Sequence, residues 1–224
     1  MTLQHGLSLI NTNVVHFNDI IYIFMILGVM ASSISGAIRA IESRMDITGA
    51  ILLAFVNSNA GGTVRDLLLN TTIFWIDNQI YIWLTFAVGS LSFIVIYFNN
   101  KIISNHKLHK ILIITDAMGL SAFCLAGVEK TLLLSHDMVL AIIMGVWTAI
   151  GGGIIADIVA NRIPLVFSQE LYLTVAFIGA ICFLILDIYC GVGSTYAGII
   201  AAFIMIILRL LAVKYKITFP NINR

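Results

Sequence analysis

Two aspartates stand where an apolar chain can least carry them. Asp66 follows the cluster Asn57-Ser58-Asn59-Ala60-Gly61-Gly62, and Asp157 follows Thr148-Ala149-Ile150-Gly151-Gly152-Gly153, each four residues past the last glycine. Arg65 precedes the first acid and is read as the only basic residue far from either membrane face. A charge at the centre of a bilayer costs at least roughly 2.5–3.5 kcal/mol, so Arg65, Asp66 and Asp157 imply a water-filled or mutually neutralised space. Consecutive glycines weaken a helix by about 1 kcal/mol each relative to alanine. A helix broken there would free carbonyls, which can replace part of a cation's hydration shell, and N–H groups that favour an acid in the first turn downstream. The chemistry these residues suit is ion passage. No apolar stretch contains a histidine, and the acids lack a nucleophile, a proton-transfer partner or metal ligands, so neither an enzyme, a cofactor nor a bound metal is expected. Arg65 is expected to lie between the two halves of the molecule and to pair with Asp157, Asp66 or a ring of carbonyls. The plainer readings of the same residues are a neutral ion pair that only locks helices and glycines that only let helices pack closely.

The elements that must position them follow from composition. Of 224 residues, 60% are hydrophobic and 10% charged, with a mean hydropathy of +1.04. Soluble domains carry about 25% charged residues, so lipid must face much of this surface. A net charge of +1 supplies no field for collecting polyanions, which excludes a nucleic-acid binder. Seven stretches reach the roughly 20 apolar residues of a spanning helix: 20–41, 47–69, 80–98, 110–130, 138–160, 170–189 and 195–213. The first is read as a span rather than a secretory signal, because residues 1–18 hold no Lys or Arg. Seven spans put the termini on opposite sides. One side carries Arg39, Arg44, Lys101, Lys107, Lys110, Arg162, Arg209, Lys214, Lys216 and Arg224, the other only Lys130. That asymmetry predicts an inner-membrane protein with its N-terminus outside and its C-terminus cytoplasmic.

The smaller features are assigned to the membrane boundary. Arg39 and Lys130 are expected to snorkel to the headgroups, and Asp116 and Asp187 to be solvated or capping. All five histidines are placed in loops or tails, and Cys124, Cys182 and Cys190 are read as buried thiols. Trp75, Tyr81, Trp83, Tyr97 and Tyr172 fit an interfacial belt.

The chain also repeats itself. At an offset of 91, Gly28, Ala31, Gly36, Asp46, Ala50, Ile51, Gly61, Gly62, Asp66 and Asn70 recur as Gly119, Ala122, Gly127, Asp137, Ala141, Ile142, Gly152, Gly153, Asp157 and Asn161, and Arg39 falls opposite Lys130. Each unit holds three spans, so the second must enter the membrane from the opposite side. The expected fold is an all-α integral membrane protein of seven transmembrane helices, an inverted 3+3 repeat plus a seventh helix. It forms one transmembrane domain over residues 1–224, with units at about 19–98 and 110–190 and the last helix at about 195–213.

Several motifs carry a resemblance. They are Ile34-Ser35-Gly36, Arg44-Met45-Asp46, Gly61-Gly62-Thr63-Val64-Arg65-Asp66 with Phe74-Trp75, Asp116-Ala117-Met118-Gly119-Leu120 with Gly127-Val128-Glu129-Lys130, and Gly151-Gly152-Gly153-Ile154-Ile155-Ala156-Asp157 with Ile163-Pro164, then Tyr172 and Arg209. Over essentially its whole length the chain resembles the prokaryotic members of the trimeric intracellular cation (TRIC) channel family, whose bacterial relatives are also catalogued as a glycine-transporter domain. The resemblance implies a homotrimer in membrane lipid with one pore per subunit, passing monovalent cations, chiefly K+ and also Na+. It assigns pore and gating roles to Gly61, Gly62, Gly151, Gly152, Gly153, Arg65, Asp66, Asp157 and Lys130. The chain departs from the family pattern at Ala60, where a third glycine is usual, and at Ala156, where many bacterial relatives carry a second arginine. The second departure is expected to ease cation entry or to release Asp157 toward Arg65. Lipid regulation by basic residues of the fourth span, known in eukaryotic members, is not carried over, since only Lys130 corresponds. Inverted repeats serve transporters as well, so a secondary transporter of a small neutral solute such as glycine is the alternative.

Overall fold

The computed structural model describes residues 3–99, 105–168 and 171–217, with side chains described over 22–99, 107–167 and 171–217. The described elements are α1 (Leu3–Glu42), α2 (Ile47–Leu68), the short α3 (Phe74–Asp77), α4 (Ile80–Phe98), α5 (Asn105–Ser135), α6 (Met138–Val159), the short α7 (Leu165–Ser168), α8 (Tyr172–Leu184) and α9 (Ser194–Tyr215). Among them seven, α1, α2, α4, α5, α6, α8 and α9, have spans long and apolar enough to cross a membrane. His5, His16, His106, Lys101 and Arg224 lie outside the described side chains.

Local chemistry repeats with the sequence. Asp46 caps α2 by accepting from the Gly49 N–H at 2.9 Å, and Asp137 caps α6 by accepting from Val139 N–H at 2.9 Å and Leu140 N–H at 3.1 Å. Asn70 and Asn161 end these helices in the left-handed region, φ 52° and 55°, which asparagine tolerates better than most residues. The chain then turns into α3 and α7. The Phe74 N–H donates to Asp66 Oδ2 at 2.9 Å and the Leu165 N–H to Asp157 Oδ2 at 3.0 Å. Every one of these pairs is 91 residues apart, so the two units fold alike.

The first helix of each unit forms the centre. The α1 and α5 spans are 72% and 78% buried, against 22% for α4 and 33% for α9, the two most exposed of the described spans. α2 and α6 pack on this pair and on each other, and α9 lies along α5 and α8. Small residues set the approach. A side chain at Gly36 would begin 2.5 Å from the Leu53 carbonyl, and one at Gly127 would begin 2.8 Å from Gly145 Cα.

Neither α2 nor α6 is interrupted: helical hydrogen bonding runs through Asn57–Gly62 and Thr148–Gly153 without a gap. The expected breaks and freed carbonyls are therefore absent. The only non-α stretch within a described span is the π-turn Ile185–Tyr189 that ends α8. The boundary readings also shift. α5 begins at Asn105, so His109 lies on a helix and Asp116 sits nine residues past the start of its span at Lys107. Tyr81 and Tyr172 are buried core residues, not belt residues, and Cys190 is exposed while Cys124 is buried.

Candidate functional site

Two buried charge clusters lie on either side of the α2–α6 crossing, each assembled from both units. In the first, Asp66 Oδ1 accepts from Arg65 Nε at 2.8 Å and from Lys130 Nζ at 2.8 Å, while its Oδ2 is held by the Phe74 N–H. Arg65 is wholly buried, with its guanidinium carbon 5.9 Å from the centre of the Phe74 ring, and its Nη1 has no hydrogen-bond partner. Two cations share this one carboxylate, and Asp77 is the next acid close enough to act on Lys130. Beside them lies a cavity of about 310 Å³ lined by Met25, Arg65, Phe74, Tyr81, Lys130, Leu133 and Leu134.

The second cluster is its counterpart. Arg39 Nε stands 3.2 Å from Asp157 Oδ1, and Arg39 Nη2 donates to Asp116 Oδ1 at 2.8 Å. Arg39 Nη1 donates to Asn57 Oδ1, and Asn57 Nδ2 donates to the Ser32 carbonyl at 2.7 Å. Arg209, 1% exposed, stacks its guanidinium 4.6 Å from the centre of the Tyr172 ring. Arg39 and Arg209 balance Asp116 and Asp157. The gap here, between Arg39, Gly153, Asp157, Leu165 and Tyr172, leaves no room for a water molecule. Lys130–Asp66 and Arg39–Asp157 are the same pair at an offset of 91, and so are Phe74/Leu165 and Tyr81/Tyr172.

Between the clusters the glycines bring α2 and α6 into backbone contact. A Cβ on Gly61 would begin 2.5 Å from the Thr148 carbonyl and 3.0 Å from Gly152 N. One on Gly152 would collide with the Asn57 carbonyl, and one on Gly151 would begin 3.3 Å from Gly61 Cα. Gly62 faces the Phe74 ring and Gly153 the Arg39 guanidinium. The glycines therefore act through closeness, not through exposed carbonyls. Polar side chains are buried at the same level: Ser58 Oγ and Thr85 Oγ1 lie 3.1 Å apart, Asn59 Nδ2 donates to Thr85 Oγ1 at 3.2 Å, and Asn59 Oδ1 has no partner.

Of the partners expected for Arg65, Asp66 is the one observed. Asp157 belongs to Arg39, and Ala156 packs in an apolar cluster with Ala37, Ala40, Ala50 and Leu53. Arg39 does not snorkel and Asp116 is not solvated; both are buried. Both lie near the ends of their spans but turn inward, Arg39 reaching Asn57, Asp116 and Asp157 at the same level. Glu129 was also passed over. It is wholly buried and neither carboxyl oxygen has a hydrogen-bond partner. The cross-pairing of Arg39 with Asp157 had a sequence signal, since the 91-residue offset aligned Arg39 with Lys130 and Asp157 with Asp66. Arg209 was marked only by its place in an apolar run and among the residues that carry the family resemblance.

A family model described as "Glycine transporter" matches residues 22–97 and again 113–187. The chain is 34% identical over 204 residues to a UPF0126 membrane protein of Vibrio cholerae, covering 91% of this chain and 83% of that one. It is 29% identical to a UPF0126 inner membrane protein of Escherichia coli K12, covering 90% and 96%. Among solved structures, the TRIC trimeric intracellular cation channel orthologue from Rhodobacter sphaeroides superposes with a TM-score of 0.80 at 30% identity, covering 88% of this chain and 98% of that one.

Proposed function

This chain belongs to the TRIC family, whose sequence model is described as a glycine transporter, and from that premise we propose that it is a passive, potassium-type channel for monovalent cations with a pathway through each subunit. It is a multi-pass membrane protein, and in this reading it forms a homotrimer in the inner membrane with its N-terminus outside. Removing the buried Arg39 and Arg209 from the basic residues of the cytoplasmic side still leaves eight there against Lys130 alone. The reading takes the chain as one transmembrane domain, with units at about 19–98 and 110–190 and a last helix at about 195–213.

The observation that carries it is the pair of matching charge clusters on opposite sides of the α2–α6 crossing. Arg65 and Lys130, the two bases on Asp66, border a cavity wide enough for water, and Asp157 and Arg39 border a gap that is not. A cation entering the wide end would meet Asp66 already neutralised by two bases, so passage requires Arg65 or Lys130 to withdraw. At the narrow end the Arg39–Asp157 contact must open. Gly61, Gly62, Gly151, Gly152 and Gly153 allow this because backbone-on-backbone contacts can slide without side chains to unlock. In this reading the described conformation is a closed one.

Purified protein in a planar bilayer with symmetric KCl decides between channel and transporter. The channel reading expects stepwise unitary currents. Saturable uptake of labelled glycine into proteoliposomes, with no unitary currents, would establish the transporter reading in its place.

A further inference from the structure

The cavity of about 310 Å³ beside Arg65 has the make-up of a small-ligand site. Arg65 is wholly buried and spends only part of its guanidinium. Its Nε donates to Asp66 Oδ1 at 2.8 Å and its Nη2 stands 2.7 Å from the same oxygen, while Nη1 has no hydrogen-bond partner. A buried, charged donor without an acceptor is costly, and a carboxylate is the acceptor that a guanidinium bonds most strongly. Tyr81, close enough for Arg65 to act on, and Lys130 complete the polar part of the wall. Met25, Phe74, Leu133 and Leu134 make the rest of it, all apolar. Apolar walls with a few convergent polar groups are the usual form of a small-molecule pocket. Among the described residues no acid lines the cavity. Asp66 is held by Arg65 and Lys130, and Asp77, which acts on Lys130 and Tyr81, does not lie on its wall.

We propose that this cavity binds a small monocarboxylate. The carboxylate meets the Arg65 guanidinium, and a short apolar body lies against Met25, Phe74, Leu133 and Leu134. The same lining disfavours a zwitterion such as glycine, because no acid on the wall is free to pair with an ammonium. It also disfavours a bare inorganic anion, which would leave the apolar wall uncovered. An occupied cavity offers Arg65 a second carboxylate and so eases its withdrawal from Asp66. That consequence rests on the channel reading, whereas the binding itself does not.

Isothermal titration calorimetry on purified protein in a neutral maltoside detergent tests it. The probes are sodium butyrate and, separately, butyramide, glycine and sodium chloride at matched ionic strength. Butyrate should bind saturably, and about tenfold or more tightly than each of the other three. Arg65→Gln should weaken butyrate about tenfold or more. That variant also disturbs Asp66, so a second one leaves the charges alone. Leu134→Trp, at an exposed position, fills the apolar wall and should weaken butyrate too. The absence of saturable butyrate binding would overturn the proposal, as would equal binding of butyramide or undiminished butyrate on both variants. Chloride as tight as butyrate would overturn it by giving the site to any small anion, and glycine as tight would overturn it in favour of the transporter reading. Unitary currents are recorded apart from binding, so a failed titration leaves the channel reading standing and absent currents leave the site standing.

Discussion

Asp66 serves two buried cations, while Asp157 shares Arg39 with Asp116, and that difference sets the cost of losing each acid. Removing one member of a buried pair costs about 3–5 kcal/mol, because it strands a charge away from water. Asp66→Asn strands Arg65 and Lys130 together and should incur that full cost. Asp157→Asn leaves Arg39 with Asp116 and should cost clearly less. Thermal unfolding in detergent would therefore show the larger drop in Tm for Asp66→Asn, and the reverse order would contradict the pairing described. Charge exchange gives a second check. Swapping Arg39 with Asp157 should recover part of the stability lost in either single variant, and swapping Arg65 with Asp157 should recover none. Glu129 predicts the opposite kind of result. Its carboxyl group is buried without a hydrogen-bond partner, and replacing such a group by an apolar one of similar shape removes a desolvation cost. Glu129→Leu should match or exceed the wild-type Tm; a fall of several degrees would mean that Glu129 has a partner.

At the scale of the helix, the glycine clusters are where sequence and structure part company. The sequence marked Gly61, Gly62, Gly151, Gly152 and Gly153, and the 91-residue offset pairs Gly61 with Gly152 and Gly62 with Gly153; the structure puts Gly61, Gly151 and Gly152 at the α2–α6 contact. Glycine has two uses, however, to break a helix and to let a second backbone come close, and a single chain of letters does not distinguish them. The neighbour that decides between them, α6 for α2, lies about ninety residues away. The spans themselves were legible because an apolar run of that length has no other stable form in lipid. The ion pairs were less so, because a basic residue near the end of an apolar run reads as snorkelling until an acid is seen on the helix packed against it. Arg39 is held inward by Asp116 of α5 and Asp157 of α6. Close contact makes a testable demand. Gly152→Val would drive a side chain into the Asn57 carbonyl, and overpacking of this kind costs about 1–3 kcal/mol or more. The variant should lose thermal stability and conduct with altered gating, whereas Gly193→Ala, where open space surrounds the backbone but φ is +87°, should cost only the strain of that turn. If Gly152→Val behaved as wild type in both assays, the α2–α6 contact would not be the waist of the molecule.

For the whole molecule, the inverted repeat explains how a nearly neutral, lipid-facing chain can hold buried charge at both of its ends. Each unit sends one base into the other, Arg39 to Asp157 and Lys130 to Asp66, so neither cluster is complete until both units have docked. Departure from symmetry then has direction. The Arg65 side sets two bases on one carboxylate beside a cavity, while its counterpart, with Ala156 at the matching position, is closed. The central claim is that these two ends belong to one cation pathway. A reversal potential under a KCl gradient, recorded from purified protein in a planar bilayer, tests it most directly. The account predicts current that reverses close to the potassium equilibrium potential; reversal close to the chloride potential, or no current from correctly assembled protein, would contradict it.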